Sequence, residues 1–351
     1  MRVGVPRETK EGERRVSLLP GEVRALVGQG HEVRIERGAG AGVGVPDDDY
    51  ARAGAIVSTT REAWGCELVV KVKELLDEDL EHASRGGTVF GFQQLPGWPE
   101  RTRAIARRGL TAIAYELVRD ARGGFPLLAP MSIISGRMAV EAVWPLLPPQ
   151  PRVLILGAGN AGLSAARTAQ ERGGRVQVIT RSESSRSAAE RGGFAALLVT
   201  PEAVERAALD ADLVVGAAFR PGEPTPKLVP RALVARMKRG AVMADISIDG
   251  GGVAETSRPT THAQPIRIEE GVVHYAISNI PGSNPAAATA ALSGAALPFV
   301  ARLAAQGIIG ALRADAGLRS GVLLWRGHVT HPGIAAEAGL PYTSLSEEIA
   351  A

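Results

Sequence analysis

The sequence predicts an α/β protein built on two mostly parallel sheets, each with helices on both faces. Three observations carry that reading. Short apolar runs of strand length alternate with helix-length stretches along most of the chain. The alternation stops near Pro130 and starts again behind a proline-rich break at positions 145–151. A length of 351 residues suits about two domains.

The elements follow in order. Residues 3–5 form a short apolar strand, and residues 18–29 have helical spacing with Pro20 in the first turn, stopped by Gly30. Residues 31–36 alternate with period two, and residues 38–44 are a glycine-rich loop. Further strands are expected at residues 68–73, 87–92 and 111–115. In the second half, residues 131–147 have the length of an apolar helix closed by Pro145, Pro148, Pro149 and Pro151. Residues 152–156 follow as a near-continuous buried strand, with later strands at 176–179, 213–216 and 241–246. After Pro281 the chain turns alanine-rich and helical through Gln306, a helix expected to return to the first domain and complete its sheet near the C-terminus.

Composition narrows the class. Lys and Arg total 40 against 37 Asp and Glu, a net charge of only +3, and no basic run marks a nucleic-acid or anionic-membrane partner. The single cysteine, Cys66, excludes an intrachain disulfide and a cysteine-based zinc site. His262, His274, His328 and His331 show no close metal-ligand spacing, so no metal is expected. The N-terminus lacks an apolar signal region and no run approaches the ~18 apolar residues of a membrane span, which points to a cytoplasmic protein.

Gly157-Ala158-Gly159-Asn160-Ala161-Gly162 fits G-x-G-x-x-G and stands between an apolar strand and a helical stretch. Gly157 would make the tight turn, Gly159 would let a pyrophosphate approach, and Gly162 would allow close helix–strand packing. The helix N-terminus would present free N–H groups to the phosphates. A ligand-free glycine turn is the alternative. At the end of the next strand the chain reads Thr180-Arg181-Ser182-Glu183-Ser184-Ser185-Arg186. A cation and hydroxyls with no carboxylate at the strand tip suit a 2′-phosphate, so the cofactor is read as NAD(P)H, leaning to NADP(H). Against that stand solvation of Arg181 and Arg186, and a Glu183 able to reach the ribose.

Several segments together resemble the alanine dehydrogenase family, related to the N-terminal part of proton-translocating transhydrogenase. They are Arg2-Val3-Gly4-Val5-Pro6-Arg7-Glu8, Arg15-Val16, Gly30-His31-Glu32-Val33, Val70-Lys71-Val72-Lys73-Glu74, and Leu127-Leu128-Ala129-Pro130-Met131-Ser132 with Gly136-Arg137. Ile248-Asp249-Gly250-Gly251, Ser257-Arg258-Pro259-Thr260-Thr261-His262, Gly327-His328-Val329-Thr330 and Gly339-Leu340-Pro341-Tyr342 continue the match nearly to the C-terminus. The resemblance implies two Rossmann-like domains, a substrate domain from residues 1–129 plus 286–351 and an inserted cofactor domain over 130–285. It also implies reversible reductive amination of a small 2-oxo acid, such as pyruvate to L-alanine, by a homo-oligomer, usually a hexamer. By the same resemblance Ser132, Ala218, Phe219, Ile246, Arg258 and Ile277 join Gly157 to Gly162 and Thr180 to Ser182 around the nucleotide, with Asn279 near both nucleotide and substrate.

Three side chains also carry weight on their own chemistry. Arg15 could grip a carboxylate with two parallel hydrogen bonds, or simply lie in solvent. Lys71 and Lys73, two of only five lysines, fall at alternate positions of one apolar run; paired or functional burial competes with an edge strand that uses them to repel other sheets. Asp249 follows the strand at 241–246, where such sheets bind ligands, although an aspartate equally suits the start of a turn. The resemblance places Lys73 at the substrate and Asp249 beside the nicotinamide. One departure stands out: Gln94 occupies the position of the family's active-site histidine, and an amide donates a hydrogen bond but exchanges no proton near neutral pH. Lys73, Gln94 and Asp249 are therefore read as the catalytic set, with Arg15, Lys73 and Asn279 binding substrate. Two other readings remain open, an NADPH-dependent imine reductase making an N-carboxyalkyl amino acid and a non-catalytic nucleotide-binding regulator.

Overall fold

The computed structural model describes residues 1–218 and 225–350. Among the described residues fifteen strands occur in chain order: β1 (Arg2–Val5), β2 (Glu32–Glu36), β3 (Ile56–Ser58), β4 (Leu68–Val70), β5 (Thr88–Gly91), β6 (Thr111–Ala114), β7 (Arg152–Leu156), β8 (Arg175–Thr180), β9 (Ala195–Leu198), β10 (Leu213–Gly216), β11 (Val242–Asp245), β12 (Ile266–Glu269), β13 (Val272–Tyr275), β14 (Val322–Trp325) and β15 (His328–Val329). They divide between two compact units, Met1–Pro130 with Asn284–Ala351, and Met131–Ser283.

In the first unit eight strands lie in the order β15-β14-β6-β5-β4-β1-β2-β3. β1 to β6 pair in parallel, while β14 joins β6, and β15 joins β14, antiparallel. The central strands are apolar and buried, as expected where helices cover both faces. The helix Pro20–Gly28 starts on its proline and stops before Gly30, whose φ is +84°. Helix Pro285–Ala314 is interrupted at Gly307 (φ 70°, ψ 161°), so its first run ends at Gln306, where the sequence ended it. By length and composition this helix could cross a membrane. Here Thr289 and Ser293 accept the backbone N–H groups of Val16 and Leu19, and Leu292, Val300 and Leu303 are buried.

In the second unit seven strands run β12-β13-β11-β10-β7-β8-β9, all parallel except β12 at the edge. The order in which strands are added switches sides at β7, with β8 and β9 to one side of it and β10, β11 and β13 to the other, and such a switch point leaves a crevice beyond the carboxyl ends of β7 and β10. One apolar cluster, with Ile155, Val178, Val215 and Ala244, lies on one face of this sheet; another, with Leu154, Val214 and Met243, lies on the other.

One sequence expectation needs correction. The run at 68–73 leaves the regular strand at Val70, so Lys71 and Lys73 lie on the segment beyond it, with single hydrogen bonds from Lys71 N to Phe90 O (3.1 Å) and Phe92 N to Val72 O (3.1 Å). β4 is also a central strand between β1 and β5, which removes the edge-strand explanation for the two lysines. Strands β3, β9, β12 and β13 were not legible as apolar alternation: β9 and β12 are edge strands that leave Leu197, Leu198, Ile266 and Ile268 exposed.

Candidate functional site

In the first unit, charged groups that look solvated in the sequence are buried together at the carboxyl ends of β1, β4 and β5. Arg15 is 3% exposed. Its Nε and Nη2 donate to the two carboxylate oxygens of Glu13 at 2.7 and 2.6 Å, and Glu13 also accepts the Arg15 backbone N–H at 2.9 Å. This fork fixes the plane of the guanidinium and excludes a solvated surface arginine.

Lys71 and Lys73 have different surroundings. The Lys71 ammonium meets Asp79, lies 3.8 Å from Glu8 and 5.6 Å from the Trp64 ring, and donates to the Glu74 carbonyl at 3.3 Å. Burial alone would lower its pKa, but Glu8 and Asp79 outweigh burial and raise it, so Lys71 stays charged as a structural cation. Lys73 Nζ lies 3.6 Å from Glu74, whose other oxygen accepts from Lys10 at 2.5 Å. Burial works to raise the Glu74 pKa, yet Lys73 and Lys10 together hold it below the usual range.

Two further carboxylates organise the backbone around these cations. Glu8 accepts from Val72 N at 2.5 Å and Lys73 N at 3.2 Å. Glu116 accepts from Gln94 N at 2.7 Å and from Gln93 N at 3.2 Å. Burial raises both acids, against the pull of Lys71 on Glu8 and of the Gln94 and Gln93 amides and Lys73 on Glu116. Gln94 has φ +47°, a left-handed conformation that the Glu116 hydrogen bonds hold in place, and its side chain is half-buried. Beside it Gln93 Oε1 and the Tyr115 hydroxyl are buried without hydrogen-bond partners among the described residues. Arg15, Lys73 and Gln94 are thus each anchored by a carboxylate, through Glu13, Glu8 and Glu116 respectively. The sequence reading missed those carboxylates, because their partners lie up to 65 residues away.

In the second unit the glycine motif has the geometry of a dinucleotide turn. Gly157 has φ +112°, and a Cβ there would lie 2.4 Å from the Ala217 carbonyl oxygen. A Cβ on Gly162 would lie 1.8 Å from Gly157 O, whereas one on Gly159 would meet nothing within 4 Å. Helix Asn160–Glu171 has no side-chain cap, so the N–H groups of Asn160, Ala161 and Gly162 face outward from its first turn. Ser132 is half-buried on helix Leu128–Val143, one turn before Gly136, whose Cβ position lies 2.1 Å from Ala161 O.

At the tip of β8, Thr180 is buried and Arg181 exposed. Ser182 caps helix Glu183–Arg191 by accepting from Ser185 N at 3.2 Å, and its hydroxyl lies 2.8 Å from Ser185 Oγ and 3.1 Å from Ser184 Oγ. Arg186 pairs with Glu183, and with Glu190 at 3.3 Å. Arg186 and Glu183 are thus paired along one helix, with Glu183 exposed. Arg181 and the three serines are what remain for a phosphate.

Ala218 is half-buried just past β10, and Phe219 lies outside the described residues. Ile246 is half-buried past β11, and Asp249 is exposed on the turn Ile248–Gly250. Asp245, buried at the end of β11, accepts from Ser257 Oγ at 2.5 Å, Val253 N at 2.7 Å and Ser247 N at 3.1 Å; burial raises its pKa despite these bonds. Arg258 is exposed but donates to the carbonyls of Glu255 and Ser257 at 3.0 and 2.7 Å. Ile277 is buried, and Asn279 has φ +62°, its carbonyl accepting from Gly282 N at 2.9 Å. His274 is buried with Nε2 3.3 Å from Thr256 Oγ1, and burial pushes its pKa down to about 4.

Comparison with known proteins finds relatives over nearly the whole chain. The pattern of the alanine dehydrogenase/PNT N-terminal domain matches residues 4–135, and that of the C-terminal domain matches residues 143–332. The alanine dehydrogenase of Staphylococcus haemolyticus is 37% identical over 99% of both chains, and that of Bacillus subtilis is 37% identical over 99% of this chain and 98% of its own. A solved L-alanine dehydrogenase superposes with a TM-score of 0.89 at 38% identity, covering 96% of this chain and 98% of that one. A transhydrogenase from Sinorhizobium meliloti gives 0.81 at 25% identity over 95% and 99%. In sequence over both halves and in fold, the chain belongs to the alanine dehydrogenase/PNT family.

Proposed function

We propose that the protein is an amino-acid dehydrogenase of the alanine dehydrogenase type that uses NADP(H) to interconvert a small 2-oxo acid and its amino acid. The observation that carries this is the buried cation–carboxylate network around Arg15, Lys73 and Gln94, in a chain whose other unit presents an uncapped glycine-rich helix start. In the aminating direction, 2-oxo acid, ammonia, NADPH and one proton give amino acid, NADP⁺ and water. A bound nicotinamide nucleotide supplies the hydride to the α-carbon.

The chain's own residues bind and orient. Arg15, its plane set by Glu13, takes the substrate carboxylate, and Lys73 takes a carboxylate or carbonyl oxygen. The Gln94 amide donates to the oxygen or imine nitrogen on which charge develops. Asp249, exposed on its turn, holds or releases the proton that Gln94 cannot, and Asn279 borders substrate and nucleotide. Residues Gly157 to Gly162 receive the pyrophosphate, while Arg181 with Ser182 receives the 2′-phosphate. Ser132, Thr180, Ala218, Ile246, Arg258 and Ile277, together with Phe219, complete the nucleotide site by family correspondence. The protein works as a homo-oligomer in the cytoplasm.

The test is a cofactor-oxidation screen with NADPH and NADH against a panel of 2-oxo acids with ammonia. Turnover with NADPH well above NADH supports the proposal; no turnover with any 2-oxo acid refutes it. Gln94 favours one second reading, since a pre-formed imine does not require the proton exchange a histidine performs. Replacing ammonia with amino acids as the amine separates the two: turnover only with amino acids assigns the protein to formation of N-carboxyalkyl amino acids.

A further inference from the structure

The turn that carries Asp249 is held from opposite sides by opposite charges. On one side the buried Asp245 carboxylate accepts the N–H groups of Ser247 and Val253 and the Ser257 hydroxyl. On the other side the Lys227 ammonium donates to the carbonyls of Gly251, Gly252 (2.9 Å) and Ala254 (3.2 Å). The segment that delivers Lys227 is laced to the same turn: Thr225 N donates to Gly250 O at 2.8 Å, Thr225 Oγ1 to Ser247 O at 3.2 Å, and Leu228 N to Val253 O at 2.8 Å. The fit leaves no room on the Asp245 side, where a Cβ on Gly252 would lie 2.5 Å from Asp245 Oδ2.

A loop with two consecutive glycines at positive φ, Gly251 (+101°) and Gly252 (+78°), has many conformations to choose from. A carboxylate that accepts from its N–H groups and an ammonium that donates to its carbonyls together select one of them. The two charges do not touch Asp249. They fix the backbone on both sides of it, and Asp249 is left exposed at the apex.

We propose that Lys227 and Asp245 are positioning residues that act through Asp249, clamping the 247–254 turn so that this carboxylate is presented at one place. The inference rests on the dehydrogenase reading above. Without the clamp, binding energy for the nucleotide persists but the proton-handling carboxylate is spread over many positions, which lowers kcat more than it raises KM.

Lys227→Met, in the full-length protein, tests this with less risk to folding than a change at Asp245. With NADPH and whichever 2-oxo acid is turned over, kcat is expected to fall about ten-fold or more while KM for NADPH stays within about two-fold. Lys227→Arg is expected to recover most of the loss, because a guanidinium donates to carbonyls as well. In an Asp249→Asn background Lys227→Met is expected to have no further effect. An equal fall of kcat in both backgrounds, or a rise in KM for NADPH with kcat unchanged, overturns the proposal. Amide hydrogen exchange gives a readout independent of turnover: Lys227→Met should lose protection at 247–254 while the rest of that unit stays as in the wild type. Unchanged protection at 247–254 overturns the clamp even if the wild type shows no dehydrogenase activity, a result that would separately refute the function proposed above.

Discussion

Replacing Lys71 and Lys73 one at a time should separate fold from function within three residues. Lys71→Met leaves the carboxylates of Asp79 and Glu8, whose side chains are buried, without their ammonium partner. Breaking a buried pair from one side costs about 3–5 kcal/mol. For a unit of this size each kcal/mol moves the melting temperature by about 2–4 °C, so a fall of about 6–20 °C is expected. Adding Asp79→Asn to Lys71→Met should restore part of that loss, since the stranded charge beside the vacated position is gone. Lys73→Met is different, because Glu74 keeps its 2.5 Å contact with Lys10. Its melting temperature should fall clearly less than that of Lys71→Met. Loss of charge-assisted hydrogen bonds to the substrate should instead cut kcat/KM for the 2-oxo acid about ten- to a hundred-fold. Calorimetry and initial rates on the same preparations make the comparison. A Lys73→Met protein that melts as early as Lys71→Met while keeping its activity per folded molecule would refute the division of labour.

Three other outcomes follow from the second unit. Arg181→Ala should lower kcat/KM for NADPH about ten-fold or more and leave that for NADH nearly unchanged; equal losses with both nucleotides would remove the 2′-phosphate from this site. Gly162→Ala, whose Cβ would meet Gly157 O at 1.8 Å, should lower the melting temperature and abolish nucleotide binding, while Gly159→Ala, with nothing near its Cβ, should fold normally and lose only nucleotide affinity. A Gly159→Ala protein that binds NADPH as the wild type does would mean that the pyrophosphate lies elsewhere. The pKa of His274 is depressed to about 4 by burial, so its contribution to stability is present above the unfolded value near 6.5 and lost as pH falls through 4. That loss amounts to about 3 kcal/mol, and in His274→Gln the acid-side decline in melting temperature should be correspondingly shallower.

The same pair of lysines marks where the sequence was readable and where it was not. The parallel sheets, the glycine turn and the end of the long helix at Gln306 are local patterns of apolar spacing, glycine and proline, and they reappear in the structure within a few residues. That two ammonium groups in an apolar run needed partners was also readable. Which partners was not: Glu8 reaches Lys71 from the end of β1, Asp79 from the next helix, and nothing in the sequence separates these carboxylates from solvated ones. Glu13, Glu74, Glu116 and Asp245 escaped for the same reason. Burial alone makes a carboxylate an anchor for backbone amides, and burial is decided by strand order. Arg186 is the opposite case, since the Glu183 and Glu190 that pair with it lie three and four residues away on one helix and could have been paired from spacing.

The sheet of the first unit draws its last strands from the far end of the chain. β6 pairs with β14, so the backbone edge of Thr111–Ala114 has no neighbour on that side until Val322–Trp325 has been made. At a ribosomal pace of about 5–20 residues per second, that wait lasts roughly 10–40 s. During it the nascent chain carries an apolar strand with unsatisfied amides, the form most open to pairing with other chains. Translation speed and chaperone supply, more than the stability of the finished sheet, should therefore govern how much soluble protein a cell obtains from this gene.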